Sequence, residues 1–495
     1  MRTIFIVGLM ASFATACTKP NPAVCCEGTE QCDQLGVTEP RPCDVGQACV
    51  DFGCVASQCA TSADCDDPAA PVCRDRVCVA SCRTDDECTD VASGPYCATD
   101  GHCIACRGNA DCSGATSQCD AETRSCRGCE ADAECASGVC IESDGTCAAE
   151  VDVIYLETFG SDAGTCTATA PCATFPRALQ LVDGTRRIIR ILGGQFSVAG
   201  TVVVSQRVTI DGTNTTIARP PAGPTFQLTV VDTVQIEGVV LTARSGANDV
   251  ISVGPSSNLV LARSSLTDAR VVTTGGGIVM HQVRASVSPF TANVVECTNG
   301  TVAVDGSSFD HAHVMTDRCS LSFVRNRLTS NSSAMLEAQG GPMTVENNVF
   351  VQSYELADSI RMINAAPGST FRFNTVVNTS TITSSGVAQS CDASIAVASD
   401  IFAYNSTAPF PGTTCIPHSS LIDAPGMDAA LPANGNVAAD VSTFFADRAT
   451  GDFHLSAQSP AKMLGAEAGV LTDVDGGARP LPAGTKPDAG AFEAP

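Results

Sequence analysis

The 495-residue sequence has no tryptophan, only four tyrosines and only six histidines. Proteins that bind sugars by stacking use aromatic rings, so this sequence offers little material for that kind of recognition. Basic residues are also scarce, with 28 Lys and Arg against 53 Asp and Glu and a formal net charge of −25. Nucleic-acid binding needs clustered Lys and Arg to neutralise phosphates, so nucleic acid is not an expected partner.

The N-terminal apolar stretch is too short to span a bilayer, since it runs only from Ile4 to Phe13. Small residues directly before Cys17 resemble the site at which bacterial lipoproteins are cleaved and acylated, although Ala14 stands where Leu is usual. The alternative is an ordinary signal peptide cleaved near residue 16. Residue 18 is Thr rather than Asp, so the resemblance to sorted lipoproteins implies the outer membrane rather than retention at the inner one. We therefore expect a signal peptide at residues 1–16 and a surface-exposed lipoprotein anchored to the membrane through Cys17.

The chain has 29 cysteines, and 28 remain once Cys17 carries the lipid. So many cysteines indicate an exported protein stabilised by disulfides. We expect residues 17–58 to form an anchor and a divergent leader, and residues 59–150 to form four repeats of the form C-x5-C-x(4–8)-C-x(4–6)-C. The repeat cysteines are Cys59, Cys65, Cys73, Cys78; Cys82, Cys88, Cys97, Cys103; Cys106, Cys112, Cys119, Cys126; and Cys129, Cys135, Cys140, Cys147. Two disulfides per repeat are expected, and their three possible connectivities stay open.

Zinc is the competing interpretation of these repeats, but the C-x2-C steps fall between repeats rather than within a paired site. Calcium is a second alternative, because residues 18–150 hold 24 acidic and 8 basic side chains. No loop matches a calcium-binding motif, so solvated acidity is favoured and no metal or cofactor is expected. The repeats resemble Cys-rich modules found in secreted proteins of deltaproteobacteria and myxobacteria.

Short apolar runs recur through the second half of the chain. Six share the spacing apolar, one residue, apolar, four residues, apolar, and Ile278-Met280 and Phe371-Phe373 fill the gaps less perfectly. From Val234 to Ile395 the mean repeat is 23 residues. Alternation within each run predicts strands, and stacking predicts that neighbouring coils pair about 4.8 Å apart. The six runs are Val234-Ile236-Leu241, Leu259-Leu261-Leu266, Val302-Val304-Phe309, Leu321-Phe323-Leu328, Met343-Val345-Phe350 and Ile395-Val397-Phe402.

This period predicts an all-β fold, a right-handed parallel β-helix of roughly ten coils over residues 151–495, ending in a C-terminal cap. The residue three positions after the second apolar site is usually small and polar, which favours a hydrogen-bonded ladder at a turn. These residues are Ser264, Ser307, Asn326, Asn348 and Asp400.

Six further cysteines lie within the β-helix region. Cys166 and Cys172 are close enough in sequence for a local clamp. Cys297 and Cys319 are 22 residues apart, and Cys391 and Cys415 are 24 apart, each close to one coil. Residues one coil apart are stacked neighbours, so both pairs are candidates for disulfides between coils.

The two ends of this region carry a family resemblance. The segment from Val153 through Gly160 to Phe175 resembles the first strand and cap of bacterial pectin-lyase-like β-helices. The segments 452–455, 459–461, 472–476, 479–480 and 488–493 resemble the closing motif of β-helix proteins of the choice-of-anchor Q type. The resemblance covers residues 152–495 and implies a β-helix fold, anchoring and an extracellular setting.

Related folds cleave acidic polysaccharides, but the sequence contains no Asn-Thr-Asp, Gly-His-Gly or Arg-Ile-Lys segment of the polygalacturonase type. The best local cluster for catalysis is Asp310, His311 and His313 with Asp317. The alternative interpretation is that these residues form a polar connection between coils. No catalytic residue is assigned. We expect a noncatalytic surface lipoprotein that binds a polysaccharide or an envelope partner. A polysaccharide lyase or glycoside hydrolase is the alternative, and a purely structural role stays open.

Overall fold

The computed structural model describes most of the chain from residue 25 onwards. The residues it describes are 25–26, 32–33, 42–44, 47–50, 52–57, 59, 61–67, 70–74, 76–114, 116–141, 145–230, 232–243, 248–288, 292–331, 334–353, 359–380, 388–392, 394–404, 416–423, 434–466 and 469–494. The expected signal peptide and Cys17 lie outside them. The chain divides into two compact units, Met1–Ala148 and Ala149–Pro495. Within the described ranges, no helix has both the length and the apolar character needed to cross a bilayer.

Short antiparallel hairpins make up the N-terminal unit. Each of the four repeats has one hairpin and one 3-10 turn within its C-x5-C loop, at Ser62–Asp64, Asp85–Cys88, Asn109–Asp111 and Asp132–Glu134. The strands are β1 (Gln47–Val50), β2 (Gly53–Ala56), β3 (Val72–Arg74), β4 (Val77–Val79), β5 (Tyr96–Cys97), β6 (Cys103–Ile104), β7 (Gln118–Cys119), β8 (Cys126–Arg127), β9 (Cys140–Ile141) and β10 (Thr146–Cys147).

All four repeats join their first cysteine to the third and their second to the fourth. Each bond closes a loop of 11 to 15 residues, which in a chain-entropy account contributes about 3 kcal/mol. Zinc binds cysteine as the thiolate. The sulfurs of these repeat cysteines are instead bonded to one another as disulfides. The pairs are Cys59–Cys73, Cys65–Cys78, Cys82–Cys97, Cys88–Cys103, Cys106–Cys119, Cys112–Cys126, Cys129–Cys140 and Cys135–Cys147, with Cys25–Cys49, Cys26–Cys32 and Cys43–Cys54 in the leader.

Acidic side chains of the repeats bond to the hairpin that precedes them. Glu87 accepts hydrogen bonds from Nε of Arg74 at 2.7 Å and from the N–H of Arg83 at 2.6 Å. Glu134 accepts one from Arg127 at 2.6 Å. These bonds, foremost those from the arginines, lower the pKa of each glutamate to about 2. At these two positions, a glutamate of one repeat bonds to an arginine of the repeat before it and so links the two repeats.

Replacing Arg74 by Gln should uncouple the first two repeats. A carboxylate with a depressed pKa contributes stability above its unfolded pKa of 4.5 and loses that contribution as the pH falls to about 2. Protection of the amides at residues 82–88 against hydrogen exchange should therefore decline over this range in the native chain. In Arg74→Gln, protection should already be lower at neutral pH by about 1 kcal/mol.

Arg76→Gln is the matched control, because the Arg76 side chain forms no ion pair within the described part of the chain. It should leave the exchange profile unchanged. An Arg74→Gln profile that coincides with the native one at every pH would contradict the assignment.

Stacked short strands form the second unit, which also contains helix α1 (Phe175–Gln180) and 3-10 turns at Glu150–Asp152, Val441–Thr443 and Arg448–Thr450. Its strands are β11 (Val153–Leu156), β12 (Ile188–Ile191), β13 (Gly194–Ser197), β14 (Val202–Val204), β15 (Val208–Ala218), β16 (Phe226–Leu228), β17 (Thr233–Thr242), β18 (Asn248–Val253), β19 (Asn258–Ala262), β20 (Ser265–Thr267), β21 (Ala269–Thr274), β22 (Gly277–His281), β23 (Arg284–Ser286), β24 (Ala292–Thr298), β25 (Thr301–Asp305), β26 (Ser308–Asp310), β27 (Ala312–Asp317), β28 (Ser320–Val324), β29 (Arg327–Ser330), β30 (Leu336–Gln339), β31 (Met343–Glu346), β32 (Val349–Gln352), β33 (Ile360–Ile363), β34 (Ser369–Arg372), β35 (Thr375–Asn378), β36 (Gln389–Cys391), β37 (Ile395–Ala398), β38 (Ile401–Ala403), β39 (Pro417–His418), β40 (Leu421–Asp423), β41 (Val437–Ala439), β42 (Phe445–Asp447) and β43 (Asp452–Leu455).

The strands from β11 to β41 pair in parallel, coil upon coil. A 22-stranded sheet bends once per coil into two faces, and a nine-stranded sheet forms the third face. We call the face containing β19, β22 and β25 sheet A, the face containing β20, β23 and β26 sheet B, and the nine-stranded sheet from β14 to β36 sheet C. The strands β15 and β17 run through both A and B. The right-handed parallel β-helix predicted from the period is confirmed.

Inward-facing apolar side chains form the core along the axis. In β19 and β20, for example, Leu259, Leu261 and Leu266 are fully buried. Burying such a side chain contributes about 1.5–3 kcal/mol, and stacking lets every coil bury its row against the next. Aromatic rings follow one another along this core at centroid distances of 6.0 to 6.4 Å. They belong to Phe309, Phe323, Phe350, Phe371 and Phe402.

A buried polar ladder lines the bend between sheets A and B, as the spacing predicts. Asn326 donates through Nδ2 to Oδ1 of Asn348 at 3.1 Å, and Asn348 donates likewise to Asn374 at 2.9 Å. Asn374 donates to Oδ1 of Asp400 at 3.2 Å. These bonds satisfy polar groups at a sharp turn, where the preceding residue of each coil has a positive φ. The column comprises Ser264, Ser307, Asn326, Asn348, Asn374, Asp400, Ser420 and Asn436.

The assignment of Phe373 to the core row is wrong. Register places Ser369 and Phe371 at the two inner positions of β34, and Phe373 lies at the bend with a φ of 56°. Its ring is covered from outside by the guanidinium of Arg479, 4.5 Å from the ring centroid. The inner pair of this coil is Ser369 and Phe371 rather than the expected Phe371 and Phe373. The ladder residue, three positions after the second inner residue, is therefore Asn374.

Asp400 places an acid in this otherwise neutral ladder. Its Oδ1 accepts bonds from the N–H and the Nδ2 of Asn374, at 2.7 and 3.2 Å, whereas Oδ2 has no hydrogen-bond partner within the described structure. Burial raises the pKa of this carboxyl well above its usual value, and the bonds from Asn374 offset only part of that effect.

Replacing Asp400 by Asn should stabilise the protein at neutral pH. An aspartate with a raised pKa costs stability progressively as the pH rises above its unfolded value of 3.8. We expect Asp400→Asn to gain about 1–3 kcal/mol at neutral pH, and the gain should disappear as the pH falls towards 3.8. Thermal unfolding across this pH range measures it.

Asn348→Asp is the mirror control, since it adds an acid to the same ladder and should lose stability with the opposite pH dependence. An Asp400→Asn variant with no gain, or with a gain independent of pH, would contradict the role of burial.

Two disulfides of the β-helix have both cysteines among the described residues. Cys166–Cys172 has a Cα separation of 4.8 Å, and Cys297–Cys319 joins successive coils with a separation of 6.4 Å. Cys391 is also disulfide-bonded. Its expected partner, Cys415, lies outside the described residues, so that pair stays a prediction.

The last part of the chain packs on the outside of sheet B. Residues 440–466 and 469–494, here called the C-terminal segment, bury apolar side chains against the outward rows of β32, β35, β38 and β40. Contacts include Phe453 and Phe492 of the segment and Val349, Val377 and Ile401 of the sheet. The segment therefore covers apolar surface that the later coils would otherwise expose.

Buried polar residues hold the C-terminal segment together. Arg479 donates to the carbonyl oxygens of Asp488 and Gly490, both at 3.0 Å. The carboxylate of Asp473 accepts the N–H groups of Gly477 at 2.7 Å and Glu493 at 3.2 Å. Asp473, Arg479, Asp488 and Glu493 are all buried, so the residues of the closing motif act as internal supports.

Candidate functional site

The outer face of sheet B is polar over four consecutive coils. From the next coil onward its rows become largely apolar, beginning with Val349 and Val351, and the C-terminal segment packs against them. We call the uncovered part the polar face. Its two outward rows are Ser265, Arg284, Ser308 and Arg327, and Thr267, Ser286, Asp310 and Thr329.

A cleft of about 660 Å³ lies along the first row, beside the bend between sheets A and B. Arg284 and Arg327 line it from sheet B, and Arg263 and Arg325 line it from the bend. Val474 of the C-terminal segment contributes to one side. We call this the arginine cleft. Four guanidinium groups in one cleft are notable in a chain with a formal net charge of −25.

The two bend arginines are held by carboxylates of sheet A. Arg263 donates to Glu237 at 2.9 Å. Arg325 donates through Nε and Nη2 to the two oxygens of Asp305 at 2.8 and 2.7 Å. These bonds raise the pKa of Arg325, so it stays charged. The pairs fix both guanidinium groups at the edge of the cleft.

The two sheet B arginines are less constrained. Arg327 donates through Nη2 to Asp475 at 2.6 Å, which uses one of its three nitrogens, and it lies 5.2 Å from the ring centroid of Phe492. Arg284 is exposed, and no carboxylate within the described residues lies at ion-pair distance from it. Its guanidinium is therefore available to a ligand.

His454 helps to hold Arg327 in place. Its Nδ1 lies 2.6 Å from Asp452 and its Nε2 lies 2.9 Å from the second oxygen of Asp475. Burial opposes the charged imidazole, but the two carboxylates outweigh it and raise the pKa of His454. The ring also packs 4.4 Å from that of Phe492. This chain of bonds positions Asp475, and through it Arg327.

Sheet C carries a second charged group of residues. Arg270 donates to Asp249 and to Glu296, each at 2.7 Å, and Asn293 donates to Glu296 at 2.7 Å. Burial works against the charge of Arg270, but its bonds to the two carboxylates prevail and raise the pKa of the guanidinium.

This group is poorly suited to catalysis. Arg270 with a raised pKa cannot serve as the base that a lyase needs. Its guanidinium also occupies the space between Asp249 and Glu296, where a glycoside hydrolase would need substrate or water. The charged side chains of sheet C are therefore engaged with one another.

The cluster singled out in the sequence does not form a joint site. Nδ1 of His311 lies 3.3 Å from Asp310, whereas Asp317 pairs with Arg318 at 3.2 Å. Burial lowers the pKa of His313 to about 4, which makes it a weak base at neutral pH. Asp310 matters for another reason, because it stands on the polar face.

Sequence reasoning did not identify the arginine cleft. The signal is present, since Arg284 and Arg327 each directly precede a residue of the core row. Finding it requires the register of every coil and the course of the C-terminal segment. The predicted lipidation site, Cys17, lies outside the described structure, and the described disulfide cysteines have structural roles.

No protein-family model matches the sequence, and no curated protein matches it. Among solved structures, the chain is similar to the crystal structure of the pectate lyase Pel9A, with a TM-score of 0.43 and 15% identity over 69% of this chain and 96% of that one. It is also similar to a rhamnogalacturonan lyase, with a TM-score of 0.23 and 9% identity over 53% of this chain and 82% of that one. Likenesses this remote carry no information on activity.

Arg270→Gln and Arg284→Gln should differ in their effect on stability. Losing Arg270 leaves Asp249 and Glu296 without their shared cation, and we expect a loss of about 1 kcal/mol, modest because the group is partly exposed. Arg284 has no such partner in the part of the chain that the structure describes, so Arg284→Gln should change the free energy of unfolding by less than about 0.5 kcal/mol. Chemical denaturation of both variants measures the difference. A marked loss in Arg284→Gln would mean that Arg284 supports the fold.

Proposed function

We propose that this chain is a noncatalytic, lipid-anchored protein of the bacterial outer membrane whose β-helix binds an acidic polysaccharide in the arginine cleft. The observation that carries the proposal is the exposed guanidinium of Arg284, which has no carboxylate at ion-pair distance among the described residues and lies beside three further arginines in a strongly acidic protein. A surface cation without a carboxylate partner is available to carboxylate or sulfate groups of a ligand.

Hydroxyl groups beside the arginines support a sugar ligand. Ser265 and Ser308 alternate with the arginines in the first row and line the same cleft. Serine hydroxyls donate and accept, as sugar hydroxyls do. The cleft is also lined by residues of four successive coils, from Arg263 to Arg327, which suits a chain better than a small molecule.

Export and anchoring rest on the sequence and the disulfides. The apolar stretch before Cys17 supports processing as a lipoprotein, and the disulfide-bonded repeats require an oxidising compartment. The acidic N-terminal unit would be repelled by a polyanionic membrane surface, so it suits a spacer that presents the β-helix.

A polysaccharide lyase is the second candidate. The observation in its favour is the convergence of Asp249, Arg270 and Glu296 on sheet C. Against it stand the engagement of these three groups with one another and the low basicity of His313. Binding without cleavage is therefore favoured.

The test uses the Cys17→Ser chain, which lacks the cysteine that would carry the lipid. Its binding to acidic and neutral polysaccharides and the appearance of new chain ends are measured with and without Ca2+. We expect binding to acidic polymers that weakens with salt, no binding to neutral ones and no new reducing or unsaturated chain ends. Arg284→Gln should reduce the affinity about tenfold, which corresponds to one charge-assisted contact.

Arg318→Gln is the matched control, because Arg318 is equally charged but lies at the turn between sheets C and A, where it pairs with Asp317. New chain ends that vanish in Arg270→Gln would establish the lyase instead. Binding of a DNA oligonucleotide as tight as that of the acidic polymers, or binding unaffected by Arg284→Gln, would also contradict the proposal.

A further inference from the structure

We propose that the ligand is a linear polysaccharide with an acid group on every second sugar, lying along the β-helix axis with successive acid groups on Arg284 and Arg327. This inference rests on the proposed function and specifies its ligand class.

The spacing of the arginines is the first support. Arg284 pairs in register with Ser308, and Ser308 pairs with Arg327, so the two arginines stand two coils apart in one row. At about 4.8 Å per coil, their backbones are about 9.6 Å apart. In an extended glycan whose successive sugars are turned over, alternate sugars present their substituents on the same side. Two arginines in alternate coils therefore match acid groups on alternate sugars.

The charge of the intervening coil is the second support. Its outward residues on the polar face are Ser308 and Asp310. Asp310 is exposed and accepts a hydrogen bond from Thr329 at 2.6 Å. The face thus alternates along the axis from cationic at Arg284 to anionic at Asp310 and back to cationic at Arg327. An acid group on the intervening sugar would meet a like charge, whereas a neutral sugar can bond to the serine hydroxyl.

The way Arg327 is held is the third support. Asp475 bonds to Nη2 of Arg327, and two further nitrogens remain for a carboxylate. His454 and Phe492 keep this assembly in position. Beyond Arg327 the outward residues of the next coil are Val349 and Val351, which offer no charge to a further acid group.

The test compares two oligosaccharides that carry two carboxylates each, on the full Cys17→Ser chain. A hyaluronan tetrasaccharide has them on alternate sugars, and digalacturonate has them on adjacent sugars. We expect the tetrasaccharide to bind at least tenfold more tightly, as measured by calorimetric titration at low salt.

The decisive variant is Arg284→Ser with Ser308→Arg, which moves one arginine to the coil next to Arg327 and leaves composition and charge unchanged. It should lose at least tenfold in affinity for the tetrasaccharide and gain affinity for digalacturonate. The matched control, Arg284→Ser with Ser265→Arg, places the arginines three coils apart and should weaken both ligands. Thermal unfolding checks that both variants keep the fold.

The outcomes separate the two proposals. Equal affinities in the native chain, or unchanged selectivity in the relocated variant, would overturn the spacing inference while acidic polymers still bind. Absence of binding for both oligosaccharides and for all acidic polymers would overturn the proposed function as well.

Discussion

The hydrogen-bonded ladder at the bend between sheets A and B holds the rest of the β-helix in register. Each buried amide, such as Asn348, bonds to the coil before it and the coil after it. A slip of one residue would turn every core side chain of a strand towards solvent, and it would also leave the ladder amides unpaired inside the protein. Core packing and polar bonding therefore select the same register.

That register also creates the surface on which the function is proposed. Outward residues become aligned rows only because the coils stack without slippage, and this brings Arg284, Ser308 and Arg327 together from three coils. The C-terminal segment then defines the extent of the surface. It covers the apolar continuation of the rows and supplies Asp475, which steadies Arg327.

The core of this fold was predictable from sequence because its alternation and its period are properties of single strands. The error at Phe373 has a clear physical reason. A bend position outside the core can hold an aromatic ring when another part of the chain covers that ring. Here the guanidinium of Arg479, more than 100 residues away in sequence, lies over the ring of Phe373. The arginine cleft was missed for a different reason, since outward positions follow no hydrophobic period and their alignment depends on the register of every coil. The connectivity of the repeats, with Cys59 joined to Cys73, likewise depends on hairpin geometry rather than on spacing.

A crystal structure of the protein with a bound acidic tetrasaccharide tests the proposed binding site most directly. We expect the sugar chain to lie across β23, β26 and β29, with one carboxylate at Arg284 and the next at Arg327. A sugar chain bound on sheet C beside Arg270, with the arginine cleft empty, would contradict it.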